Sequence, residues 1–499
     1  MNSPILTSAQ MRAAEEAAFA SGVEVEALMD KAGAGVARAI TKFFPYPGAC
    51  IVYAGKGHNA GDALVAAECL RRCGWKIEIR LAFKEGDCSE LMRKKLESLR
   101  QTPESRHRHL DPCVGSACHA IILDGLLGLG AKPPLREPVR TASRDLNQLR
   151  REKNAYVFAV DVPTGIDGDF GKTDRDGVVA DFTVTIGFAK PGLMADEALN
   201  FVGRLEVAPL DELRPPEKKE SEIVACAPAL CELLRRRKYD AYKNQFGRIG
   251  IVAGSKGFTG AATMCSLGAL RSGAGLVEVF VPEEIYEIVA AAAPPEAMVK
   301  PIKSYRDLLK EKIDVWALGP GLGKSRADEI LELIEKAKQP IVVDADGLNI
   351  LSSKVSTLKR CKGERLLTPH PGEMKRLFDN KKETRAKTAT KFCRRFPVTL
   401  LLKGSRTIVA EHDHPLSYNT TGNPGMATGG MGDILTGVSA GLVGQGLSLY
   451  DAARLGAWVC GRAAEMSIFD GHASEESLLP RDVLDRLGDA LNELHSSPI

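Results

Sequence analysis

The sequence predicts an α/β protein made of two successive domains, each around a largely parallel sheet. Three observations carry that prediction. Short apolar runs of strand length alternate with amphipathic helical stretches in two separate regions. The chain has 499 residues, more than one ordinary core accommodates. Glycine-rich segments recur where the apolar runs end, which is the edge of an open α/β sheet where ligands bind.

The first region opens with a helix predicted from Ser8 to about Phe43, with apolar residues at helical spacing. Strands follow near Cys50–Ala54, Lys76–Phe83, Ala120–Leu123, Tyr156–Val160 and Phe182–Gly187. Around Pro209–Ser221 the sequence reads PLDELRPPEKKES, a proline-rich charged stretch suited to a linker. The second region restarts with Gly250–Ala253 and continues through Val277–Val281, Val315–Leu318, Ile341–Val343, Leu366–Thr368 and Thr399–Leu402. The expected division is a domain over 1–215, a linker and start of the second domain over 216–239, and a second domain over 240–499. There is no short-period repeat, and the two halves do not read as duplicates.

Composition narrows the function classes. With 44% apolar and 26% charged residues this reads as a soluble globular protein. A formal net charge of +3, with both signs interleaved, excludes an extended polyanion-binding face, so no nucleic-acid partner is expected. The densest basic run, Arg235, Arg236, Arg237 and Lys238, reads as a solvated helix end. The opening MNSPILTSAQMRAAEEAAF lacks the basic start of a signal peptide, and the apolar runs are far shorter than a membrane span. The 12 cysteines are scattered, as suits reduced thiols and a cytoplasmic location. His107, His109, Cys113, Cys118 and His119 lie close in sequence but lack the paired CxxC spacing of structural zinc, and read as an irregular surface loop.

The most informative stretch is Thr421–Gly437, TGNPGMATGGMGDILTG. Gly429-Gly430-Met431-Gly432-Asp433 precedes a run, Ile434 to Leu442, that reads as a buried helix. Glycines at a helix start let backbone amides approach phosphate oxygens, and the helix dipole favours negative charge there. Asp433 beside that anion hole is placed to take a proton from a substrate hydroxyl while the amides stabilise a transferred phosphoryl group. The plainer reading is an acidic residue in a first helical turn. Val343-Asp344-Ala345-Asp346-Gly347-Leu348-Asn349 puts two carboxylates at one strand end; one of them is open to being only a brace for the loop. Thr368-Pro369-His370-Pro371-Gly372-Glu373-Met374 and Leu401-Leu402-Lys403-Gly404-Ser405 follow two further strands. His370 is open to being a loop-shaping residue, Glu373 an ordinary helix-start carboxylate and Lys403 a solvated strand cap. No GxxxxGK[ST] occurs, so nucleotide binding needs a design other than the P-loop.

These segments, with GRIGIVAGSKGFTGAA at Gly247–Ala262 and GPGLG at Gly319–Gly323, resemble the ribokinase-like dehydratase that repairs the hydrated nicotinamide cofactors NADHX and NADPHX. The resemblance covers residues from about 240 to 499. It implies that Gly321, Gly323, His370, Pro371, Gly372, Glu373, Met374, Lys375, Arg376 and Asp433 meet the hydrated cofactor. It implies nucleotide contacts at Lys403, Gly404, Ser405, Arg406, Thr407, Asn423, Gly429, Gly430, Met431 and Gly432, with ADP or ATP as co-substrate and Mg²⁺ assisting. The implied chemistry turns a poor leaving group, hydroxide, into phosphate, whose elimination restores the dihydropyridine. Asp433 is the catalytic base of this scheme, and with ADP the products are AMP and phosphate.

In the first region AGKGHNAGDALVAA at Ala54–Ala67 runs from a strand into a helix, a turn that also serves as a plain tight connection. Leu123-Asp124-Gly125-Leu126-Leu127-Gly128-Leu129-Gly130 and Val160-Asp161-Val162-Pro163-Thr164-Gly165 end two further strands with carboxylates and glycines. With Leu28–Gly33 (LMDKAG) and Ile186–Leu193 (IGFAKPGL), these resemble the NAD(P)HX epimerase domain. The two resemblances together imply an N-terminal Rossmann-like three-layer domain followed by a ribokinase-like α/β domain. The epimerase resemblance implies K⁺ ligation by Asn59, Asp124 and Thr164, and Asp161 as the acid/base group. It implies substrate contacts at His58, Asn59, Ala60, Gly61, Asp62, Gly128, Leu129, Gly130, Ala131, Lys132, Pro133, Pro134 and Asp161. Lys190 is open between a substrate contact and a surface role. The chain departs from the family's usual NNGGDG: it has alanine at 60 and 63, and at positive φ the added methyl groups cost stability.

Together these imply a bifunctional enzyme, an isomerase feeding a lyase, that acts on the small molecules NADHX and NADPHX and forms a homo-oligomer. Fusions of this order resemble bacterial members, which implies ADP as the usual donor. Two other readings stay open: a ribokinase-superfamily small-molecule kinase, and an N-terminal half that binds without catalysing.

Overall fold

The computed structural model describes residues 3–103, 120–216, 221–379 and 383–496. The chain forms two compact units, Ser3–Glu220 and Ser221–Ile499. The cluster His107, His109, Cys113, Cys118 and His119 lies outside the described residues, as does part of the expected linker, 217–220. Among the described residues no helix is long and apolar enough to cross a membrane.

In the first unit the predicted opening helix is two helices, α1 (Ser8–Ala20) and α2 (Val25–Phe43). Helical spacing continues across the break, but Gly22 takes φ +97°, which an α-helix does not contain. A parallel sheet follows: β1 (Ala49–Ala54), β2 (Lys76–Leu81), β3 (Ala120–Gly125), β4 (Tyr156–Val160), β5 (Phe182–Ile186) and β6 (Arg204–Ala208), in the order β2-β1-β3-β4-β5-β6. The helices α3 (His58–Arg72), α4 (Glu90–Gln101) and α5 (Val139–Lys153) connect strands. The central strands are buried along almost their whole length, as expected where helices cover both faces of a parallel sheet. Ile51, Ile122, Val157 and Leu146 meet in one core cluster, and each such side chain contributes about 1.5–3 kcal/mol by leaving water.

The second unit has β7 (Glu222–Ala225), β8 (Arg248–Val252), β9 (Leu276–Pro282), β10 (Ala297–Ile302), β11 (Val315–Leu318), β12 (Ile341–Val343), β13 (Arg365–Leu367), β14 (Thr399–Leu402), β15 (Ile408–Ala410) and β16 (Leu416–Asn419). Their order is β7-β16-β15-β14-β13-β12-β11-β8-β9-β10, and only β15 runs antiparallel to its neighbours. Sequence periodicity missed β6, β7, β10, β15 and β16. β6 and β10 are sheet edges with incomplete burial, β10 carries Lys300 and Pro301, and β15 has only three residues. None of these shows the long apolar run that marks a central strand.

Helices α6 (Thr259–Arg271), α7 (Ala327–Lys336), α8 (Ala345–Ser352), α9 (Pro371–Leu377), α10 (Arg385–Arg395), α11 (Met431–Gly444), α12 (Leu449–Phe469) and α13 (Pro480–Ser496) complete the unit. Helix α11 starts at Met431, three residues before the predicted start, so Asp433 lies inside its first turn. It packs closely on α6: a methyl group on Gly437 would fall 2.0 Å from the Cys265 carbonyl oxygen. That close approach fixes α11, and with it Asp433, against α6.

Candidate active sites

In the second unit, β11, β12, β13 and β14 are adjacent and parallel, so the segments leaving their carboxyl ends lie side by side. The order brings Gly319, Asp344, His370 and Lys403 to one edge. Asp344 is the N-cap residue of α8, yet its side chain does not cap that helix. It is 1% exposed, and its Oδ1 accepts from Lys403 Nζ at 2.7 Å. Thr436 Oγ1, one turn into α11, lies 3.0 Å from Asp344 Oδ2 and 2.9 Å from the Gly432 carbonyl. A Cβ on Gly432 would stand 3.1 Å from Asp344 Oδ2 and 3.3 Å from Lys403 Nζ, so the glycine loop passes directly over this ion pair.

Asp433 sits at the start of α11, after Gly430, whose φ of +95° turns the chain into the helix. Burial pushes its carboxyl up to about 7; the Asp344 charge adds to the rise and Lys403 opposes it. An acid in that range exchanges a proton near neutral pH, as general-base chemistry requires.

The other carboxylates divide their duties. Asp346 Oδ2 accepts from the Gly323 backbone at 2.9 Å, bracing the GPGLG loop. Within that loop Gly321 and Gly323 have φ of +63° and +68°. Glu373 Oε2 accepts from the His370 amide at 2.9 Å in a capping box, and His370 Nδ1 accepts from the Gly372 amide at 3.0 Å. Both residues thus shape the start of α9. Glu373 is also buried, which raises its pKa, and it stands 4.0 Å from Lys403 Nζ. A cavity of about 300 Å³ opens beside α9, lined among others by Pro371, Met374, Lys375, Arg385 and Leu402. Arg376 Nε donates to Asn349 Oδ1 at 3.0 Å, tying α9 to α8.

Lys403, Gly404, Ser405, Arg406 and Thr407 form the turn from β14 to β15. The Arg406 side chain is buried, and Arg385 Nη1 donates to the Arg406 carbonyl at 3.1 Å. Asn423 Oδ1 accepts from the Gly425 amide at 3.0 Å, while its buried Nδ2 has no partner among the described residues. Nothing lies within 4 Å of a Cβ placed on Gly429, which leaves open space beside the loop entering α11. Among the described residues no group of three or more His, Cys, Asp or Glu side chains is gathered as a metal cage.

In the first unit the carboxyl ends of β1, β3 and β4 are likewise adjacent. Asp124, at the end of β3, is fully buried; Oδ1 accepts from Thr164 Oγ1 at 2.7 Å and from the Leu126 amide at 3.2 Å, and Oδ2 accepts from the Thr164 amide at 2.8 Å. Burial raises its carboxyl to about 6 despite these bonds. Asn59 Nδ2 donates to the Leu127 carbonyl at 2.8 Å, and the Leu127 amide donates to Thr164 Oγ1 at 3.1 Å. Asn59, Asp124 and Thr164 thus converge on one turn. No cationic side chain pairs with Asp124 among the described residues, and Asn59 Oδ1 accepts no hydrogen bond there. A buried, uncompensated carboxylate beside a free amide oxygen fits a hard monovalent cation.

Asp161 follows β4 with φ +66°, in the left-handed region. Its Oδ1 is held by Lys190 Nζ and the Ile186 amide (3.0 Å), with Thr185 Oγ1 at 3.3 Å. Lys190 is 0% exposed, which removes the surface role. Asp62, on α3, has a pKa raised well above the usual carboxylate range by burial and then by the charges of Asp161 and Glu15. Glu15 on α1 is raised for similar reasons. Ala60 and Ala63 are fully buried inside α3 at ordinary helical φ. The feared strain at positive φ is therefore absent, and alanine there favours the helix. His58 and Gly61 lie in the first turn of α3, while Gly128, Leu129, Gly130, Ala131, Lys132, Pro133 and Pro134 lie in the connection from β3 to α5.

Residues 25–192 match the family described as YjeF-related protein N-terminus, and residues 249–486 match NAD(P)H-hydrate dehydratase. The chain is 34% identical to the bifunctional NAD(P)H-hydrate repair enzyme Nnr of Moorella thermoacetica, across 94% of this chain and 92% of that one. The Nnr of Escherichia coli is 33% identical across 91% and 88%. The chain belongs to the bifunctional NAD(P)H-hydrate repair enzymes. It accordingly joins an epimerase and a dehydratase on one polypeptide. Among solved structures, an ADP/ATP-dependent NAD(P)H-hydrate dehydratase from Bacillus subtilis, co-crystallised with ATP/Mg²⁺, is 27% identical over 54% of this chain and 97% of its own, with a TM-score of 0.47.

Sequence reasoning about this repair enzyme left out two residues that the fold brings to the two clusters, Thr436 and Glu15. Thr436 sits on a helix read as buried, where a lone hydroxyl one turn after Gly432 was the available signal. Asp344 was singled out as a strand-end carboxylate but without its lysine partner. Glu15 lies on a helix that carries no motif, so nothing in the sequence linked it to Asp161.

Proposed function

We propose that residues from about 240 onward dehydrate S-NAD(P)HX at the expense of ADP or ATP, and that residues 1–215 interconvert the R and S hydrates. The observation that carries the first half is the Asp433 carboxyl raised to about 7, beside the Lys403–Asp344 pair and the glycine loop that enters α11. Asp433 takes the proton of the C6 hydroxyl as its oxygen attacks the terminal phosphorus. The amides of Gly430 and Gly432 stabilise the charge on the transferred phosphoryl. Lys403 offers a positive charge to the phosphates, and Gly404, Ser405, Arg406, Thr407, Asn423, Gly429 and Met431 hold the nucleotide. Gly321, Gly323, His370, Pro371, Gly372, Glu373, Met374, Lys375 and Arg376 hold the hydrated cofactor. Elimination then expels phosphate from C6 and a proton from C5, and with ADP the products are NAD(P)H, AMP and phosphate. Bound Mg²⁺ would supply charge neutralisation during transfer, with Asp344 as the carboxylate that would help to hold it.

In the N-terminal unit, Asp161 delivers a proton to the C6 hydroxyl. The C6–O bond breaks as water leaves, the N1 lone pair forms the iminium, and water returns to the opposite face while giving a proton back. Asn59, Asp124 and Thr164 would hold K⁺, which would supply a fixed positive charge near this step. His58, Ala60, Gly61, Asp62 and the loop from Gly128 to Pro134 enclose the substrate. We further infer a homo-oligomer in the cytoplasm.

The test incubates mixed R- and S-NADHX with the full chain, Mg²⁺, K⁺ and either ADP or ATP, followed by chromatography. Loss of both epimers with NADH and AMP appearing supports the whole reading and names the donor. A stable phosphorylated product instead of AMP with phosphate and NADH would move the small-molecule kinase reading to the front.

A further inference from the structure

Among the described residues of the first unit Lys190 is the one lysine with no exposure at all, and the reaction described above does not use it. Its Nζ donates to Asp161 Oδ1, to Thr185 Oγ1 at 3.1 Å and to the Ile186 carbonyl at 3.1 Å. All three donor positions of the ammonium are therefore spent on fixed acceptors. The same Asp161 oxygen also accepts from the Ile186 amide at 3.0 Å and stands 3.3 Å from Thr185 Oγ1. Asp161 Oδ2 receives no hydrogen bond among the described residues, and the side chain keeps 12% of its surface exposed. One carboxylate oxygen is thus clamped from three sides, and the other is left for a ligand.

We infer that Lys190 is a positioning residue for the epimerisation: it clamps Oδ1 of Asp161 so that Oδ2 alone is presented for proton transfer. The inference rests on the reading of Asp161 as the acid/base group. Stability is a poor reason for this lysine, because a buried ion pair costs as much in desolvation as it returns and an apolar pair of similar volume serves equally well. Geometry is a better one. Asp161 holds a left-handed backbone conformation, uncommon for a residue other than glycine, and the lysine anchors the side chain that this backbone aims. The other charged groups facing this carboxylate are Glu15 on α1 and Asp62 on α3, with Arg12 and Glu16 beside Glu15. Among these three interacting acids, the lysine marks out the one whose geometry is fixed.

The experiment measures R-to-S conversion of NADHX by the full-length protein without nucleotide, so that dehydration does not drain the products. For Lys190→Met, kcat is expected to fall about a hundredfold while KM moves less than about threefold. The acidic limb of its rate–pH profile is expected to move to higher pH, because removing the ammonium makes the facing acids harder to ionise. A variant with unchanged kcat and profile overturns the inference. So does one whose KM rises with kcat kept, which would make Lys190 a substrate contact. If Lys190→Met does not fold, Thr185→Val decides: it keeps the volume and removes the hydroxyl beside both Asp161 and Lys190. A kcat loss of about tenfold at constant KM supports the clamp, and wild-type kcat overturns it. If the wild-type chain itself fails to interconvert the epimers, the epimerase reading fails instead.

Discussion

Lys403 and Asp344 meet at 2.7 Å beneath Gly432, where the glycine-rich loop becomes helix α11. They come from the ends of two strands separated by β13, and neither is near Asp433 in sequence. Burial resists the ionisation of Asp433 most, and the pair sets the field around it: the Asp344 charge adds to that resistance and Lys403 opposes it. A carboxylate in the first turn of a helix ordinarily ionises easily. Here burial outweighs the helix dipole, and a proton acceptor poised near neutrality results.

Removal of that acceptor is the first test. Asp433→Ala is expected to lower nucleotide-dependent dehydration by about a hundredfold to ten-thousandfold, the usual span of general-base assistance. Epimer equilibration is expected to continue in the same sample. Chromatography of R-NADHX, S-NADHX and NADH over time reads both.

A dehydration rate that falls as pH drops through about 7 is expected, since Asp433 must be ionised to accept a proton. The stability dependence has the opposite direction. A carboxyl whose folded pKa is raised binds its proton more tightly folded than unfolded, so its contribution is full below about 4 and is lost as pH rises to about 7. Urea titrations of wild type and Asp433→Asn across that window should differ in slope, with the wild type losing stability relative to the variant as pH rises.

Lys403→Met leaves Asp344 buried without its cation. A stability loss of about 3 kcal/mol is expected at neutral pH, read as a lower urea midpoint. The acidic limb of the dehydration profile should also move above its wild-type position, because the one charge favouring Asp433 ionisation is gone.

Potassium dependence gives a fourth test. At pH 8 the buried Asp124 carboxyl, with its pKa of about 6, is ionised and needs a counter-charge. At K⁺ a hundredfold above its Kd, a gain of about 2.7 kcal/mol in stability of the first unit is expected by mass action. Tetramethylammonium should give none of it, and Asn59→Ala should weaken the response. Thermal melts in matched chloride salts measure this.

Gly437→Ala tests the helix contact that seats Asp433. Its methyl group would meet the Cys265 carbonyl oxygen at 2.0 Å, and both atoms belong to fixed helices. A destabilisation of about 3 kcal/mol is expected, with dehydration lost more than epimerisation.

The sequence was legible where local rules suffice. Strands such as Tyr156–Val160 and Val315–Leu318 are buried on both faces, so an apolar run marks them. Edge strands such as Ala297–Ile302 are only partly buried along their length and leave no such mark. The helix break at Gly22 was hidden because apolar spacing continues through it while the backbone reverses sign in φ. At the sites, glycines and strand-end carboxylates named the neighbourhood of the chemistry but not the duty of each residue.

By itself the sequence determined the fold class, the strand ends that carry the sites and the family, since these follow from periodicity, glycine placement and ordered motifs. Only the tertiary structure decided that Asp346 braces a loop while Asp344 pairs with Lys403, that Lys190 is buried against Asp161, and that Ala60 and Ala63 sit inside a helix. The reason is physical. A side chain's charge state and partners depend on burial and on groups brought close by chain crossings, and one residue's neighbours in sequence do not specify either.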